Sequence, residues 1–250
     1  MEDRNLKEFF TNHPKAALAF SGGVDSAYLL YAAKAWGADV TAYFVKSQFQ
    51  PAFELVDAKR LASELSAELR VLACDVLKDD TVASNPKNRC YYCKKHIFNM
   101  ILEAAAEDGY DVIIDGTNAS DEAGDRPGMK ALSEMRVLSP LRLCGITKEE
   151  VRNRSKAAGL FTWDKPSYAC LATRVPAGEK ITEEKLRRVE GAENALMELG
   201  FSDFRIRLFH DSARVQLPEA QMGRFIASGK AVNDALKPYF DIVLLDMQSR

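Results

Sequence analysis

The chain has 250 residues, 47% of them apolar, enough to bury one large α/β core and a small appended domain. Its net charge of −2 argues against a general nucleic-acid binder, which carries a basic surplus, and no run approaches the roughly 18–20 apolar residues that span a bilayer. The polar start Met1-Glu2-Asp3-Arg4-Asn5 lacks the apolar stretch of a signal peptide, and five cysteines are an odd set for a disulfide framework; the sequence reads as cytoplasmic, with cysteines for metal or catalysis.

Residues 15–20 are predicted as a first strand, and residues 26–36 as the following helix, closed by Gly37. A second strand covers 39–45, a helical stretch 53–65 and a third strand 69–73. A helix over 96–107 ends at Asp108-Gly109, a fourth strand follows at 112–115, and 137–138 reads as a short fifth strand. Thr147-Lys148-Glu149-Glu150 has the form of a capping box opening a helix to Ala158, stopped by Gly159. Strands alternating with helices predict an α/β fold with a doubly wound parallel sheet and its ligand at the strand C-termini.

After Pro176 the pattern changes. Thr182 caps a helix running to Leu199, two alternating strands (204–209 and 214–217) flank His210-Asp211-Ser212, two helical stretches follow, and 241–245 is a last strand. This predicts a small C-terminal α+β domain, with the division at residues 1–176 and 177–250.

Ser21-Gly22-Gly23-Val24-Asp25-Ser26 is the most informative motif. Its glycines let a ligand approach the backbone, and the free N–H groups of the next helix's first turn make an anion site. The Ser21 and Ser26 hydroxyls add donors, and Asp25 can orient a lysine or hold Mg²⁺. The spacing is not that of a Walker loop. A second cluster, Asp115-Gly116-Thr117-Asn118-Ala119-Ser120-Asp121-Glu122 followed by Gly124-Asp125-Arg126-Pro127-Gly128, lies at the end of the fourth strand. Its residue types also suit a solvated loop.

Cys90-Tyr91-Tyr92-Cys93 precedes the predicted helix at 96–107, and Cys170 stands alone within residues 165–174. Two close cysteines and one distant one suit a [4Fe–4S] cluster with an open iron better than a closed zinc site. Cys74 and Cys144 read as core fillers. Arg205 and Arg207 project from one face of a strand and could hold a phosphate or carboxylate, although spacing alone favours a solvated face. Glu183, Glu184, Glu190 and Glu193 read as solvent-facing charges.

The Ser21–Ser26 stretch matches the pyrophosphate loop of the N-type ATP pyrophosphatases, the PP-loop superfamily. Together with Asn88–Lys94, the loop at 115–128 and residues 167–174, it resembles one family: the ATP-dependent sulfur transferases that make the nickel-pincer nucleotide cofactor of lactate racemase. The resemblance covers nearly the whole chain. It implies that Ser21, Gly22, Gly23, Val24, Asp25, Ser26, Gly116 and Thr117 bind ATP with Mg²⁺, and that a carboxylate of pyridinium-3,5-biscarboxylic acid mononucleotide is adenylylated. It makes Cys170 the sulfur-bearing nucleophile and Arg126, Arg174, Arg205 and Arg207 the residues around the activated, phosphate-bearing substrate. Cys90, Cys93 and Cys170 match members with a [4Fe–4S] cluster, which makes a cluster-bound sulfide the expected donor and a sacrificed Cys170 the alternative. Gln216 stands where the family carries glutamate, and Glu193 matches an acidic position near the site. The analogy also implies a homo-oligomer, a small-molecule nucleotide partner and no membrane or nucleic-acid partner. A tRNA thiolase or an amide-forming synthetase of the same superfamily is the alternative.

Overall fold

The computed structural model describes residues 2–121 and 127–250. In chain order the first elements are α1 (Glu2–Asn12), β1 (Lys15–Ala19), α2 (Val24–Ala35), β2 (Asp39–Lys46), α3 (Ala52–Glu64), β3 (Glu68–Ala73), the short α4 (Asp80–Ala83), α5 (Arg89–Glu107) and β4 (Ile113–Asp115). They are followed by α6 (Pro127–Glu134), α7 (Pro140–Leu143), α8 (Lys148–Ala157), α9 (Glu183–Glu198), β5 (Arg205–Phe209), β6 (Ser212–Gln216), α10 (Glu219–Ala227), α11 (Gly229–Leu236) and β7 (Val243–Leu245). The chain divides into two compact units: Met1–Ser47, Ala52–Asp75 and Asn88–Lys165 form the first, and Gln48–Pro51, Val76–Lys87 and Pro166–Arg250 the second.

The first unit is built on a parallel sheet in the order β3-β2-β1-β4. The order reverses at β1, and a doubly wound sheet opens its ligand crevice at such a reversal, above the strand C-termini. Central strands buried on both faces need continuous apolar runs. β2 supplies Val40, Ala42, Tyr43, Phe44 and Val45, and β1 supplies Ala16, Ala17 and Leu18, all buried. Leu29 and Leu30 of α2 and Leu61 of α3 pack on this sheet in one core with Ile114 and Leu141.

Three expectations need correction. Residues 137–138 are not a strand: Leu138 makes only an isolated parallel bridge to Ile114, because Pro140 opens α7 two residues later. α5 begins at Arg89, so Cys90 and Cys93 lie inside its first turns; Asn88 makes no side-chain cap that would have marked the start. The sequence reading also missed α1, which buries Leu6 and Phe10 at helical spacing. The capping box of α8 is present as expected, with Thr147 and Glu150 bonding each other's backbone N–H.

The second unit holds a small sheet in the order β5-β6-β7, with β5–β6 antiparallel and β6–β7 parallel. Thr182 caps α9 by accepting from the Lys185 N–H. α9 buries Leu186, Val189, Ala192 and Leu196, while Ile206, Leu208, Ala213 and Val215 are the buried faces of β5 and β6. Among the described residues no helix is long and apolar enough to cross a membrane.

Candidate active site

The Ser21–Ser26 loop runs from the end of β1 into α2. Gly22 has φ +73°, a backbone conformation that disfavours a side chain. Gly23 caps α2 without a side-chain hydrogen bond, so the first-turn N–H groups have no side-chain cap and stay available to an anion. The two serines hold the turn: Ser26 Oγ donates to the Gly23 carbonyl at 3.2 Å, lies 3.1 Å from Ser21 Oγ and accepts from the Ser21 N–H at 3.3 Å.

Asp25 takes the first of the two roles that the sequence offers, orienting a lysine. Lys148, the first residue of α8, donates to its Oδ2 at 2.5 Å, and Asn118 Nδ2 donates to Oδ1 at 3.2 Å. Both carboxylate oxygens are therefore engaged, and Asp25 orients a lysine beside the loop. The capping box disclosed where α8 starts; nothing in the spacing disclosed that its first residue reaches back to the loop.

Asp115, at the end of β4, is buried and accepts from the Thr117 N–H at 3.2 Å, Thr117 Oγ1 at 2.6 Å and Ser139 Oγ at 2.7 Å. These bonds fold Gly116-Thr117 against the pyrophosphate loop. A Cβ on Gly116 would stand 2.8 Å from Ser26 N and 3.2 Å from the Asp25 carbonyl carbon, so only glycine fits this approach. Asn118 is buried; its Oδ1 accepts from the Ser120 N–H at 2.8 Å and its own N–H donates to Asp121 Oδ2 at 3.0 Å. The structure thus brings together every expected ATP-binding residue from Ser21 to Ser26 with Gly116 and Thr117. Arg126 lies outside the described residues.

Cys90 is exposed and Cys93 half-buried on the first turns of α5. Arg89, itself buried, places Nη2 3.7 Å from Cys90 Sγ. Burial pulls the Lys94 amine below its usual range, opposed by the negative charges of Asp115, Cys90, Asp121 and Cys93. Among the described residues, however, no three His, Cys, Asp or Glu side chains are gathered so as to hold a metal ion. Cys90 and Cys93 belong to the first unit and Cys170 to the second.

In the second unit the Cys170 segment is organised by a buried ion pair. Arg174 and Glu193 are each about 1% exposed. Arg174 Nε donates to Glu193 Oε1 at 2.7 Å and Nη2 to Oε2 at 3.2 Å, a fork-to-fork arrangement. Arg174 Nη1 donates to the Ala169 carbonyl at 3.2 Å and to Thr173 Oγ1 at 2.9 Å, and the guanidinium lies 4.8 Å from the Tyr168 ring centre. Tyr168 donates its hydroxyl proton to Glu193, whose Oε1 also accepts from the Ile206 N–H at 2.9 Å. Burial acts on Arg174 most strongly and downward, but the bond to Glu193 and the charges of Glu193, Tyr168 and Cys170 together raise its pKa above the ordinary value. Cys170, half-buried, directly follows the Ala169 carbonyl that Arg174 holds, and its own carbonyl accepts from Thr173 Oγ1 at 2.9 Å.

Glu193 overturns its reading as a solvent-facing charge. An acidic residue on a charged helix gives no sign of burial; the partner that makes it possible, Arg174, lies far away in sequence. Arg205 and Arg207 are partly buried on β5, and burial together with the neighbouring guanidinium charges of Arg174, Arg250 and Arg214 lowers both from the usual arginine range. Arg207 Nη1 donates to the Thr173 carbonyl at 2.8 Å, while Arg205 Nε is buried with no hydrogen-bond partner. Gln216 sits opposite Arg205 in the β5–β6 register, so the side chain paired with that guanidinium is neutral. A phosphate or carboxylate is the class of ligand that such a group of guanidiniums could hold.

No family model matches the chain. It is 36% identical over 248 residues to an uncharacterised protein of Synechocystis sp., covering 98% of this chain and 92% of that one. It is 35% identical over 236 residues to the pyridinium-3,5-bisthiocarboxylic acid mononucleotide synthase of Lactiplantibacillus plantarum, covering 93% and 86% of the two chains. A tRNA-specific 2-thiouridylase of Pseudothermotoga lettingae is 28% identical over 204 residues, 66% of this chain and 58% of the relative. The loop at the end of β1, the glycine packed on it and a match over almost the full length of both chains agree: the protein belongs to the family of the pyridinium-3,5-bisthiocarboxylic acid mononucleotide synthases, sulfur-transferring enzymes of the PP-loop superfamily.

Proposed function

We propose that the protein activates a carboxylate of pyridinium-3,5-biscarboxylic acid mononucleotide with ATP and converts it to a thiocarboxylate with the sulfur of Cys170, a step toward a nickel-pincer cofactor. ATP enters as its magnesium complex, so Mg²⁺ arrives with the substrate and shares the charge of the leaving pyrophosphate. The loop N–H groups and the Ser21 and Ser26 hydroxyls stabilise that pyrophosphate, and Asp25 fixes Lys148 beside it. A carboxylate oxygen attacks the α-phosphorus, the bond to the β-phosphate oxygen breaks, and an acyl adenylate results. The carbonyl carbon is then electrophilic enough for a thiolate.

Cys170 attacks that carbon, AMP departs with the former carboxylate oxygen, and a thioester links protein and substrate. Removal of the Cys170 Cα proton expels the thiocarboxylate as the Cβ–S bond breaks, leaving dehydroalanine; the protein has lost the elements of H₂S. Arg205 and Arg207 hold the nucleotide's phosphate, for which the unmet Arg205 Nε is a donor. The observation that carries this reading is the fixed segment around Cys170: the buried Arg174, paired with Glu193, holds the Ala169 carbonyl and the Thr173 hydroxyl on either side of it.

The test separates the two chemical stages. With magnesium ATP and the biscarboxylate nucleotide, Cys170→Ser is expected to release pyrophosphate and form no thiocarboxylate, while the unmodified chain forms both. Full thiocarboxylate formation by Cys170→Ser would remove Cys170 as the donor; iron and labile sulfide in anaerobically purified protein, with Cys170 unchanged in mass after thiocarboxylate has formed, would install a cluster-bound sulfide instead. The tRNA thiolase alternative is favoured by salt-dependent retardation of tRNA in a gel. An amide-forming synthetase is favoured by ammonia consumption that Cys170→Ser leaves intact.

A further inference from the structure

Lys165 plays no part in the chemistry above, yet its ammonium touches the pyrophosphate loop. Lys165 Nζ lies 3.4 Å from the carbonyl oxygen of Gly22, the left-handed glycine of the turn, and donates to Asp57 Oδ2 of α3 at 2.6 Å. Its side chain is only 16% exposed and passes 5.4 Å from the Phe53 ring centre. The backbone that carries it is also fixed: Arg152 of α8 donates through Nη1 to the Trp163 carbonyl at 2.7 Å and through Nη2 to the Lys165 carbonyl at 2.9 Å.

Charge balance gives this placement a purpose. The six loop residues contain no cation and one carboxylate, and that carboxylate engages Lys148. Magnesium ATP keeps a net negative charge, concentrated on the phosphates that such a loop receives. An ammonium has three donors, of which Asp57 and Gly22 take two. We infer that Lys165 is a phosphate-binding residue of the nucleotide site, held ready by Arg152, with Asp57 as its counter-ion until the triphosphate arrives. The inference rests on the ATP-dependent reading above and names a ligand to the β- or γ-phosphate that the loop motif does not include. Lys165 also closes the first unit immediately before Pro166, where the segment bearing Cys170 starts.

The experiment measures binding by the full chain, without the carboxylate substrate, of magnesium ATP, magnesium pyrophosphate and AMP by titration calorimetry. Lys165→Gln is expected to weaken ATP and pyrophosphate by about tenfold or more and to leave AMP within about twofold, because AMP lacks the phosphates in question. Lys165→Arg should recover part of the loss, and Asp57→Asn should bind ATP as tightly as the unmodified chain or more tightly. An equal fall for ATP and AMP, or no fall for ATP, shows that the pair with Asp57 is structural and overturns the inference. Should Lys165→Gln fail to fold, Asp57→Asn decides, since a loss of ATP affinity there contradicts a counter-ion role. ATP binding that shows the expected pattern without any sulfur transfer sinks the proposed reaction and leaves Lys165 in place. An unmodified chain with no affinity for ATP or pyrophosphate overturns both.

Discussion

Gly116 and Ser26 approach so closely that a Cβ on the first would stand 2.8 Å from the amide nitrogen of the second. Two segments far apart in sequence thus meet backbone to backbone at the mouth of the crevice, and the amide concerned belongs to the first turn of α2. Gly116→Ala must push β4's end away from the loop. The expected cost is about 1–3 kcal/mol of stability, as for other overpacked sites, with magnesium ATP affinity reduced by about tenfold or more. Denaturant titration and calorimetry check the two effects; unchanged ATP affinity would show that the contact does not shape the site.

The Arg174–Glu193 pair is buried and hydrogen-bonded on every side, so removing one partner strands the other. Glu193→Ala is expected to destabilise the chain by about 3–5 kcal/mol, and Arg174→Met with Glu193→Leu to recover much of that loss. Urea unfolding of the two variants measures it. The double variant should still lack thiocarboxylate formation, because the cation beside Cys170 is gone; recovery of activity would detach Arg174 from the thiolate.

Much of the first unit was legible in the sequence. The β1 and β2 runs are continuously apolar and the Gly-rich turn sits where a strand meets a helix, so fold and ATP loop follow from local signals. What could not be read was long-range. Glu193 carries the residue type of an exposed helix face and is buried only because Arg174 and Tyr168 come to it. Lys148 and Lys165 look like ordinary surface lysines until Asp25 and Asp57 are seen beside them. The start of α5 was misplaced because Asn88 supplies no cap, and that moved Cys90 and Cys93 from a loop into a helix.

Gln216 gives a prediction about substrate affinity. Its register partner is Arg205, and a carboxylate there would neutralise the guanidinium proposed above to hold the substrate phosphate. Gln216→Glu is expected to raise the nucleotide-substrate concentration giving half-maximal single-turnover rate several-fold, and Arg205→Gln to raise it about tenfold or more, with magnesium ATP affinity unchanged in both. Single-turnover pyrophosphate release across a substrate series measures both. A loss of ATP affinity in either variant would contradict the assignment of these arginines to the carboxylate-bearing substrate.

Thiol reactivity should follow environment and pH. Burial raises the Cys74 thiol, with Asp75 adding to the shift, and burial raises Cys144 against the opposing Arg154 charge. A raised pKa means less thiolate at a given pH, so at pH near 8 iodoacetamide should modify exposed Cys90 before either. Labelling of Cys74 should increase only as pH climbs past the ordinary thiol range. The stability contributed by keeping Cys74 neutral is fully present below its unfolded-state pKa and is lost as pH rises through the higher folded value. Peptide mapping across a pH series reads the order, and early labelling of Cys74 would contradict it.

The fate of one sulfur atom decides the chemistry. The full chain is incubated with magnesium ATP and the biscarboxylate nucleotide, then digested, and the peptide containing Cys170 is weighed. It should be lighter by the mass of one H₂S, in proportion to thiocarboxylate formed and with one pyrophosphate released per activation. Thiocarboxylate accumulating while that peptide keeps its full mass would show that the sulfur comes from elsewhere and that Cys170 is not consumed.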